Sequence, residues 1–465
     1  MALVESFSGI RGIYDRDFTD SIAVRYAYAF CSFVRENSKK NCPTIVIGRD
    51  TRPSGAKIID DILGILDCNF IDAGIAPTPA VEFAVRHFDA DGGIIVTASH
   101  NEPNWNGFKF LANDGSVLNE ISINQVIRNF RLKSFINFHK VQERKIFKKN
   151  AEVMKGYIDF ILNIIDRTNI EKIRNSKLRV VLDPNGGTGV IAKRIMEQIG
   201  VEAAAINAEY GSFARTVEPT EDSLSYLKKI IVENEADFAA GFDCDADRVE
   251  ILLGNGQLLS GNYAIALIAD ELLSHASNPE HNVIVVNDAT SNVVRDVVEK
   301  FGAKIKEVEA GETNVVKEMD KSKAIVGGEG SSCGVILPPS KCRDGILTLL
   351  MILSIVANKQ KKLEELIYEM PKYYTLRKKI GVDSSKHNST KKYLKGYYSK
   401  KGFKIKESGG IKGGLKVITD KNSFVWFRAS KTESDVFRII SDSNNEEQSK
   451  RLMEEAVNIF NKANE

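Results

Sequence analysis

Proline is scarce in this chain, at 11 of 465 residues, and the 34 glycines follow no fixed spacing. That excludes collagen-like and proline-rich extended architectures, and no low-complexity tract offers disorder instead. Long apolar runs are also missing. No stretch approaches the ~18 apolar residues that a membrane-spanning helix needs. The opening "MALVESFSGIRGIYD" lacks the basic region and apolar core of a signal peptide. Charge of one sign is not in excess: 64 basic against 62 acidic residues leave a net charge of +2. Nothing global therefore attracts nucleic acid or an anionic membrane, and any anion specificity must be local. Six cysteines, Cys31, Cys42, Cys68, Cys244, Cys333 and Cys342, occur without a C-x-x-C pair. A chain of this size does not need disulfide staples, so reduced thiols in a cytoplasmic protein are expected.

What is present is hydrophobic patterning that changes period along the chain. A single core stops growing near ~250–300 residues, so several domains are expected. From Thr44, "TIVIGRD", "AKIIDDILGIL", "NFIDAGIAPTP", "AVEFAVRHF" and "GGIIV" alternate strand and helix patterns, which predicts a mostly parallel sheet with helices on its faces. The Lys- and Asn-rich "HKVQERKIFKKN" and a helix from Glu152 separate this unit from a second, opened by "LRVVLDPNGGTGV" and closed by "ADFAAGFDCDADR". A third contains "NVIVVNDAT", "SNVVRDVVEKFG", "KAIVGGEGSS" and a helix after Arg343. The last hundred or so residues turn to a Lys-rich helix, alternating strands in "FVWFRAS" and "VFRIIS", and a closing helix with Leu452, Ala456, Ile459 and Phe460 on one face. The expectation is α/β: three tandem mixed-sheet α/β domains at 1–150, 151–254 and 255–368, then a smaller α+β domain at 369–465.

Two motifs carry chemistry. In "TASHNEPNWNGFK" a continuous apolar strand ends on Ser99, at the carboxyl edge of the sheet, where α/β proteins place ligand sites. In "GFDCDADR", Asp243, Asp245 and Asp247 recur at period two, which in extended chain puts three carboxylates on one side. Such a concentration of charge calls for a cation, and oxygen-only ligands select a hard divalent ion such as Mg²⁺. An EF-hand does not fit, since its glycine position falls on Arg248 and its bidentate glutamate on Gly254. The bland alternative is a solvated acidic turn. A serine is a weak nucleophile unless a base or metal activates it, and no G-x-S-x-G elbow surrounds Ser99. A phosphorylated Ser99 completing a three-aspartate Mg²⁺ site unites both motifs, with Lys109 able to donate or accept a proton.

Two weaker loops supply what phosphoryl transfer to a polyol needs. In "GGEGSSCG", Glu329 and Ser331 can hydrogen-bond vicinal hydroxyls; in "RASKTES", Arg428 offers a fork, and Ser430 and Thr432 offer hydroxyls, to a phosphate. Taken singly, each is equally well a solvated turn. The Lys-rich "KKYLKGYYSKKGFKIK" interleaves aromatics, but Tyr393, Tyr397 and Tyr398 recur at helical spacing and read as a packed face rather than a nucleic-acid surface.

In order, "GIRG", "GRDTRPSG", "GIAPTP", "TASHNEPNWNGFK", "GFDCDADR", "GGEGSSCG", "RDG" and "RASKTES" resemble the α-D-phosphohexomutase family, over Gly9 to Ser434. The resemblance implies three related α/β domains and a smaller fourth, with Ser99 as the phosphoserine and Asp243, Asp245 and Asp247 binding Mg²⁺ beside it. It also implies that Arg11, His100, Lys109 and Arg248 line the centre. Glu329 and Ser331 would read the sugar, and Arg428, Ser430 and Thr432 would hold the phosphate that is not reacting. The implied reaction interconverts hexose 1-phosphate and hexose 6-phosphate, of mannose or glucose, through a hexose 1,6-bisphosphate. Phosphoglucosamine mutase is the alternative within the family, and a monomer or homodimer acting on a small phosphosugar is expected. Glu102 and Ser434 stand where the family usually has Pro, Cys244 where it has Gly, and Ser331-Ser332 where it often has Ser-Gly or Asn-Gly. Two readings of other classes remain open: a Mg²⁺-dependent phosphohydrolase working through an aspartyl phosphate at Asp243, and a non-catalytic phosphosugar-binding paralogue.

Overall fold

A computed structural model describes residues 3–6, 9–132, 144–410, 413–430 and 435–465. The chain divides into two units: Met1–Leu259 with Cys333–Glu364, and Ser260–Ser332 with Glu365–Glu465.

The first unit holds two sheets. One is seven-stranded, in the order Val4–Ser6, Gly9–Ile13, Trp105–Leu111, Gly92–Val96, Thr44–Arg49, Asn69–Ile75 and Ile146–Lys148. Thr44–Arg49 runs parallel to both Asn69–Ile75 and Gly92–Val96, as the βαβ pattern predicts. Trp105–Leu111 then returns antiparallel to Gly92–Val96, so the sheet is mixed and the polar loop between them sits at its carboxyl edge. One expectation is corrected here. The charged stretch read as a separator contributes Ile146–Lys148 as a strand parallel to Asn69–Ile75, because main-chain pairing does not depend on side-chain polarity; its part at 139–143 lies outside the described residues. Helix Asp20–Ser38 packs Phe30 and Tyr26 against Phe110 and Phe108 of the same core.

The second sheet orders Val249–Leu253, Phe238–Phe242, Arg179–Asp183 and Glu202–Ala205, parallel except for the first pair. Phe238–Phe242 and Val249–Leu253 form an antiparallel hairpin whose six-residue connection, 243–248, carries the three aspartates. Helix Gly345–Lys359 is buried from Gly345 to Ala357, which matches a segment apolar all round rather than along one stripe.

In the second unit Val283–Asn287 pairs in parallel with Lys304–Val308 and Val326–Gly328. A five-stranded antiparallel sheet follows: Tyr374–Gly381, Val436–Ser443, Ser423–Ala429, Leu415–Asp420 and Lys404–Glu407. Leu394 and Tyr398 of helix His387–Lys400, and Leu452, Ala456, Ile459 and Phe460 of helix Glu446–Lys462, pack on its inner face. Tyr397 joins that core partly buried, but Tyr393 is 45% exposed and does not belong to the packed face. Phe424, Trp426 and Ile440 of this sheet meet Ala289 and Ala310 of the preceding α/β layer. Among the described residues no helix is long and apolar enough to cross a membrane.

Candidate functional site

Ser99 is the second residue of the turn after the buried strand Gly92–Val96, closed by Asn101 N donating to Ala98 O, and has φ +51°, a left-handed conformation that costs a non-glycine residue about 1–2 kcal/mol. The loop holds it there by hydrogen bonds. Ser99 N donates to Thr97 Oγ1 at 2.8 Å, and Thr97 Oγ1 donates to Asp50 Oδ2 at 2.7 Å. Arg52, fully buried, spends all five of its N–H groups on this loop: Nε on Asp50 Oδ2, Nη1 on the carbonyls of Glu102 and Trp105, Nη2 on those of Ser99 and Asn101. Arg52 stands in "GRDTRPSG", yet nothing in that string says which distant carbonyls its guanidinium will hold.

The three aspartates converge through a turn, not by extended alternation. Ala246 adopts φ +53° and its N–H returns to Asp243 O, folding the segment so that one oxygen from each carboxylate lies within 4.8 Å of the others. Cys244, where the family usually has glycine, does not need a left-handed backbone; the strained position is Ala246. The Cys244 side chain is buried, 3.6 Å from Thr51 Oγ1.

The two motifs meet inside the first unit. Ser99 Oγ is 3.1 Å from Asp243 Oδ2. Lys109 Nζ bridges Asp245 Oδ2 at 2.6 Å and Asp247 Oδ2 at 2.7 Å. Thr78, from "GIAPTP", donates its hydroxyl to Asp245 Oδ2 at 2.6 Å and its N–H to Asp245 O at 2.9 Å. This leaves Asp245 Oδ1 and Asp247 Oδ1 buried without a hydrogen-bond partner. Two orphaned carboxylate oxygens beside Asp243 and a serine hydroxyl are an oxygen-only donor set, which fits a hard divalent cation. The trio's electrostatics point the same way. Burial, then Asp247 and Asp245, push the Asp243 carboxyl well above its ordinary range. Burial also opposes ionisation of Asp247, but Lys109, Arg343 and Arg248 outweigh it and hold Asp247 well below.

Arg11, His100 and Arg248 join the same centre. Arg11 Nη1 donates to Asn101 Oδ1 at 3.0 Å, and burial, then Arg248, lower its pKa to about 10, so it stays a cation. Arg248, followed by burial and Arg11, drives His100 well below its usual range, which leaves a neutral imidazole whose Nδ1 is buried and unpartnered. Arg343, from the "RDG" string, places Nη2 3.3 Å from Asp247 Oδ2. Sequence reasoning quoted that string without giving Arg343 a place in the site. Glu102 is exposed, so its charge is screened by solvent.

The second unit carries the other named groups. Glu329 Oε1 accepts Gly311 N at 2.8 Å and Asn287 Nδ2 at 3.3 Å, while Ser331 is exposed. Arg428 Nη2 lies 3.4 Å from Glu309 Oε1; burial lowers its pKa, and Glu309, Asp288 and Glu329 oppose that effect. Ser430 N donates to Val436 O at 2.7 Å. Thr432 and Ser434 lie outside the described residues.

Tandem α/β sheets with a strained serine beside an oxygen-only acidic pocket are an arrangement suited to metal-assisted phosphoryl transfer. Family comparison agrees. Phosphoglucomutase/phosphomannomutase alpha/beta/alpha domain I matches residues 5–136, domain II residues 155–256 and domain III residues 260–374. The phosphoglucomutase/phosphomannomutase of Thermococcus kodakarensis is 33% identical, across 98% of each chain. The phosphoglucosamine/phosphogalactosamine mutase of Sulfurisphaera tokodaii is 27% identical, across 97% of each. The open form of parafusin, a phosphoglucomutase from Paramecium, shares the fold at TM-score 0.82 and 20% identity, over 98% of this chain and 94% of that one. The chain belongs to the phosphoglucomutase/phosphomannomutase family, the α-D-phosphohexomutases, and is an isomerase of phosphosugars.

Proposed function

We propose that this mutase interconverts hexose 1-phosphate and hexose 6-phosphate, with Ser99 carrying the phosphoryl group and Asp243, Asp245 and Asp247 holding Mg²⁺ beside it. The observation that carries the reading is the 3.1 Å approach of Ser99 Oγ to Asp243, next to two buried carboxylate oxygens without partners. Mannose and glucose phosphates are the substrates favoured by the name of the Thermococcus relative, and glucosamine phosphate is the alternative favoured by that of the Sulfurisphaera relative.

The bond from Ser99 Oγ to phosphorus breaks as a free hydroxyl oxygen of the hexose monophosphate bonds to it, giving a hexose 1,6-bisphosphate. His100, kept neutral by Arg248 and burial, has a lone pair for the hydroxyl proton, and the Lys109 ammonium supplies one to the departing serine oxygen. After the bisphosphate turns over, the other phosphate returns to Ser99 by the reverse of these transfers. Bound Mg²⁺ supplies charge neutralisation for the transferring group. Arg11 and Arg248 add fixed positive charge, and the Arg52 network holds the serine oxygen in place before the substrate arrives. Glu329 and Ser331 read the sugar hydroxyls, and Arg428, Ser430 and Thr432 hold the distal phosphate.

The reading extends to four domains, at 1–150, 151–254, 255–368 and 369–465, and to a cytoplasmic monomer or homodimer without nucleic-acid or membrane partners. All six cysteines are thiols rather than halves of disulfides, which supports the reducing compartment.

A coupled assay on mannose 1-, glucose 1- and glucosamine 1-phosphate, with a bisphosphate primer and Mg²⁺, tests the proposal. Ser99→Ala is expected to lower turnover by roughly 10³-fold or more. Mapping the phosphoenzyme separates this reading from an aspartyl-phosphate hydrolase, since the label must lie on Ser99 and not on Asp243. Phosphosugar binding without interconversion would mark a non-catalytic paralogue. Equal turnover by wild type and Ser99→Ala would end the proposal.

A further inference from the structure

The loop joining Cys333 to helix Gly345–Lys359 has no part in the reaction above, yet it is built directly against the aspartate turn. A Cβ on Gly334 would stand 2.6 Å from Asp247 O, and one on Gly345 would stand 2.7 Å from the Arg248 backbone and 3.0 Å from Ala246 O. Gly345 N donates to Ala246 O at 3.2 Å, so backbone approaches backbone where only glycine leaves room. Arg343 lies between these contacts, 8% exposed. Its Nη2 shares Asp247 Oδ2 with Lys109, while Asp247 Oδ1, on the other side of the same carboxylate, is buried without a hydrogen bond and has only the more distant Arg248 Nε, at 3.8 Å, as a counter-charge.

A polar frame fixes this arginine. Asp344 caps helix Gly345–Lys359 by accepting Leu347 N at 2.9 Å, and each of its carboxylate oxygens lies 3.0 Å from the hydroxyl of Tyr157, which is fully buried. Asp344 N donates to Val335 O at 3.1 Å. Three residues before Asp344, Lys341 N donates at 2.9 Å to Glu82 Oε1, a carboxylate with no exposed surface that Arg86 also engages. Two separate helices, through Tyr157 and Glu82, thus spend buried polar groups on one short loop, and the charge that loop delivers is Arg343.

We propose that Arg343 is a positioning residue that sets the charge of the metal site through Asp247, held in register by the Tyr157–Asp344 pair. The proposal rests on the reading of the aspartate trio as the cation site. A guanidinium on Oδ2 turns Oδ1 toward the other two carboxylates and withdraws part of the negative charge they offer a cation. The trio then holds its ion less tightly than three uncompensated carboxylates would, and leaves net positive charge for an incoming phosphoryl group.

This assigns a sign that a merely structural arginine would not produce. Removing the charge while keeping a polar side chain should tighten divalent-cation binding and slow turnover together. Loss of a structural prop would loosen the turn and weaken both. A unit charge ~6 Å from a divalent ion, screened as in water, corresponds to about tenfold in affinity.

The test titrates Mn²⁺ into the full-length protein without substrate, reading free Mn²⁺ by electron paramagnetic resonance. It compares wild type, Arg343→Gln, Arg343→Lys and Asp245→Ala, with circular dichroism melting for each. Arg343→Gln should bind Mn²⁺ about tenfold more tightly, with kcat reduced and phosphosugar KM changed far less. Arg343→Lys, which keeps the charge, should bind Mn²⁺ as wild type does. If Arg343→Gln does not fold, the uncharged Arg343→Met takes its place with the same expectation. Equal or weaker Mn²⁺ binding by the neutral variant overturns the proposal. Unchanged Mn²⁺ binding by Asp245→Ala would instead overturn the reading of the trio on which it rests.

Discussion

Arg52→Ala is the substitution whose cost the structure specifies most fully. Its guanidinium makes an ion pair with Asp50 at 2.9 Å in which neither side chain is exposed, and its remaining N–H groups hold the carbonyls of Ser99, Asn101, Glu102 and Trp105. Truncation leaves the Asp50 carboxylate buried without its partner, which costs about 3–5 kcal/mol. Each carbonyl left without a donor adds about 1 kcal/mol or more, reduced where water enters the space vacated by the side chain. With no guanidinium on its carbonyl, Ser99 also loses a restraint on its left-handed backbone. A loss of about 5 kcal/mol is expected, with turnover falling further than stability because the serine oxygen is no longer held toward Asp243. Urea unfolding followed by tryptophan fluorescence and far-ultraviolet circular dichroism measures the first effect, and the coupled mutase assay, run well below the unfolding transition, measures the second. Arg52→Lys should recover the ion pair but not the fork, and fall between the two. An Arg52→Ala protein within 1 kcal/mol of wild type, or stable but fully active, would refute the claim that this side chain organises the serine loop.

Two further outcomes follow from buried groups. Burial pushes the Asp344 carboxyl up to about 7 despite the bonds it accepts from Leu347 and Tyr157. Since the folded pKa lies above the unfolded one, the stability it contributes is present near pH 4 and is lost as pH rises through about 7, a term of about 4 kcal/mol. Burial raises Glu82 in the same direction, so the informative quantity is the difference between wild type and Asp344→Asn, whose denaturation midpoints should diverge between pH 4 and 7; parallel curves would contradict the assignment. Cys244→Gly should cost about 2 kcal/mol through lost packing and added backbone freedom, yet leave kcat within a few-fold, because the thiol meets Thr51 and the strained backbone lies at Ala246. A hundredfold loss of turnover in that variant would show that position 244 does more than pack.

Period and order were legible in the sequence; distance was not. Continuous apolar strands, helix stripes and the ordered motif strings were enough to anticipate mixed α/β sheets, an α+β last domain, and Ser99 beside the aspartates. Ile146–Lys148 escaped because an edge strand with all three residues exposed carries neither an alternating nor a continuous apolar pattern. Tyr393 was misread because helical spacing shows which residues share a face, not how wide a face the sheet covers. Period two gave the right trio for the wrong reason: a left-handed Ala246 gathers the carboxylates, and alanine gives no notice of that conformation. Arg52, Thr78 and Arg343 lay inside quoted strings, but their acceptors are 47 to 167 positions away, and one chain records no such pairing.

Those long-range partners explain how so much like charge can be buried at all. Three carboxylates within 4.8 Å of one another would not remain ionised unaided, and the structure answers unevenly. Asp245 receives hydrogen bonds from Thr78 and Lys109, and Asp247 from Lys109 and Arg343, all on Oδ2, with Arg248 Nε 3.8 Å from Asp247 Oδ1. Asp243 takes the Ser99 hydroxyl on Oδ2, a long 3.3 Å contact from Arg248 N on Oδ1, and the Arg248 guanidinium no nearer than 4.0 Å. Asp243 is thus the least compensated of the three, and burial together with Asp247 and Asp245 pushes its carboxyl well above the ordinary range. On the proposed reading, a divalent ion would meet two carboxylates already oriented by Thr78, Lys109 and Arg343. The donors that orient them come from strand Trp105–Leu111, helix Thr78–His87 and the Arg343 loop, so the arrangement of the trio is a property of the assembled first unit and not of the aspartate turn alone.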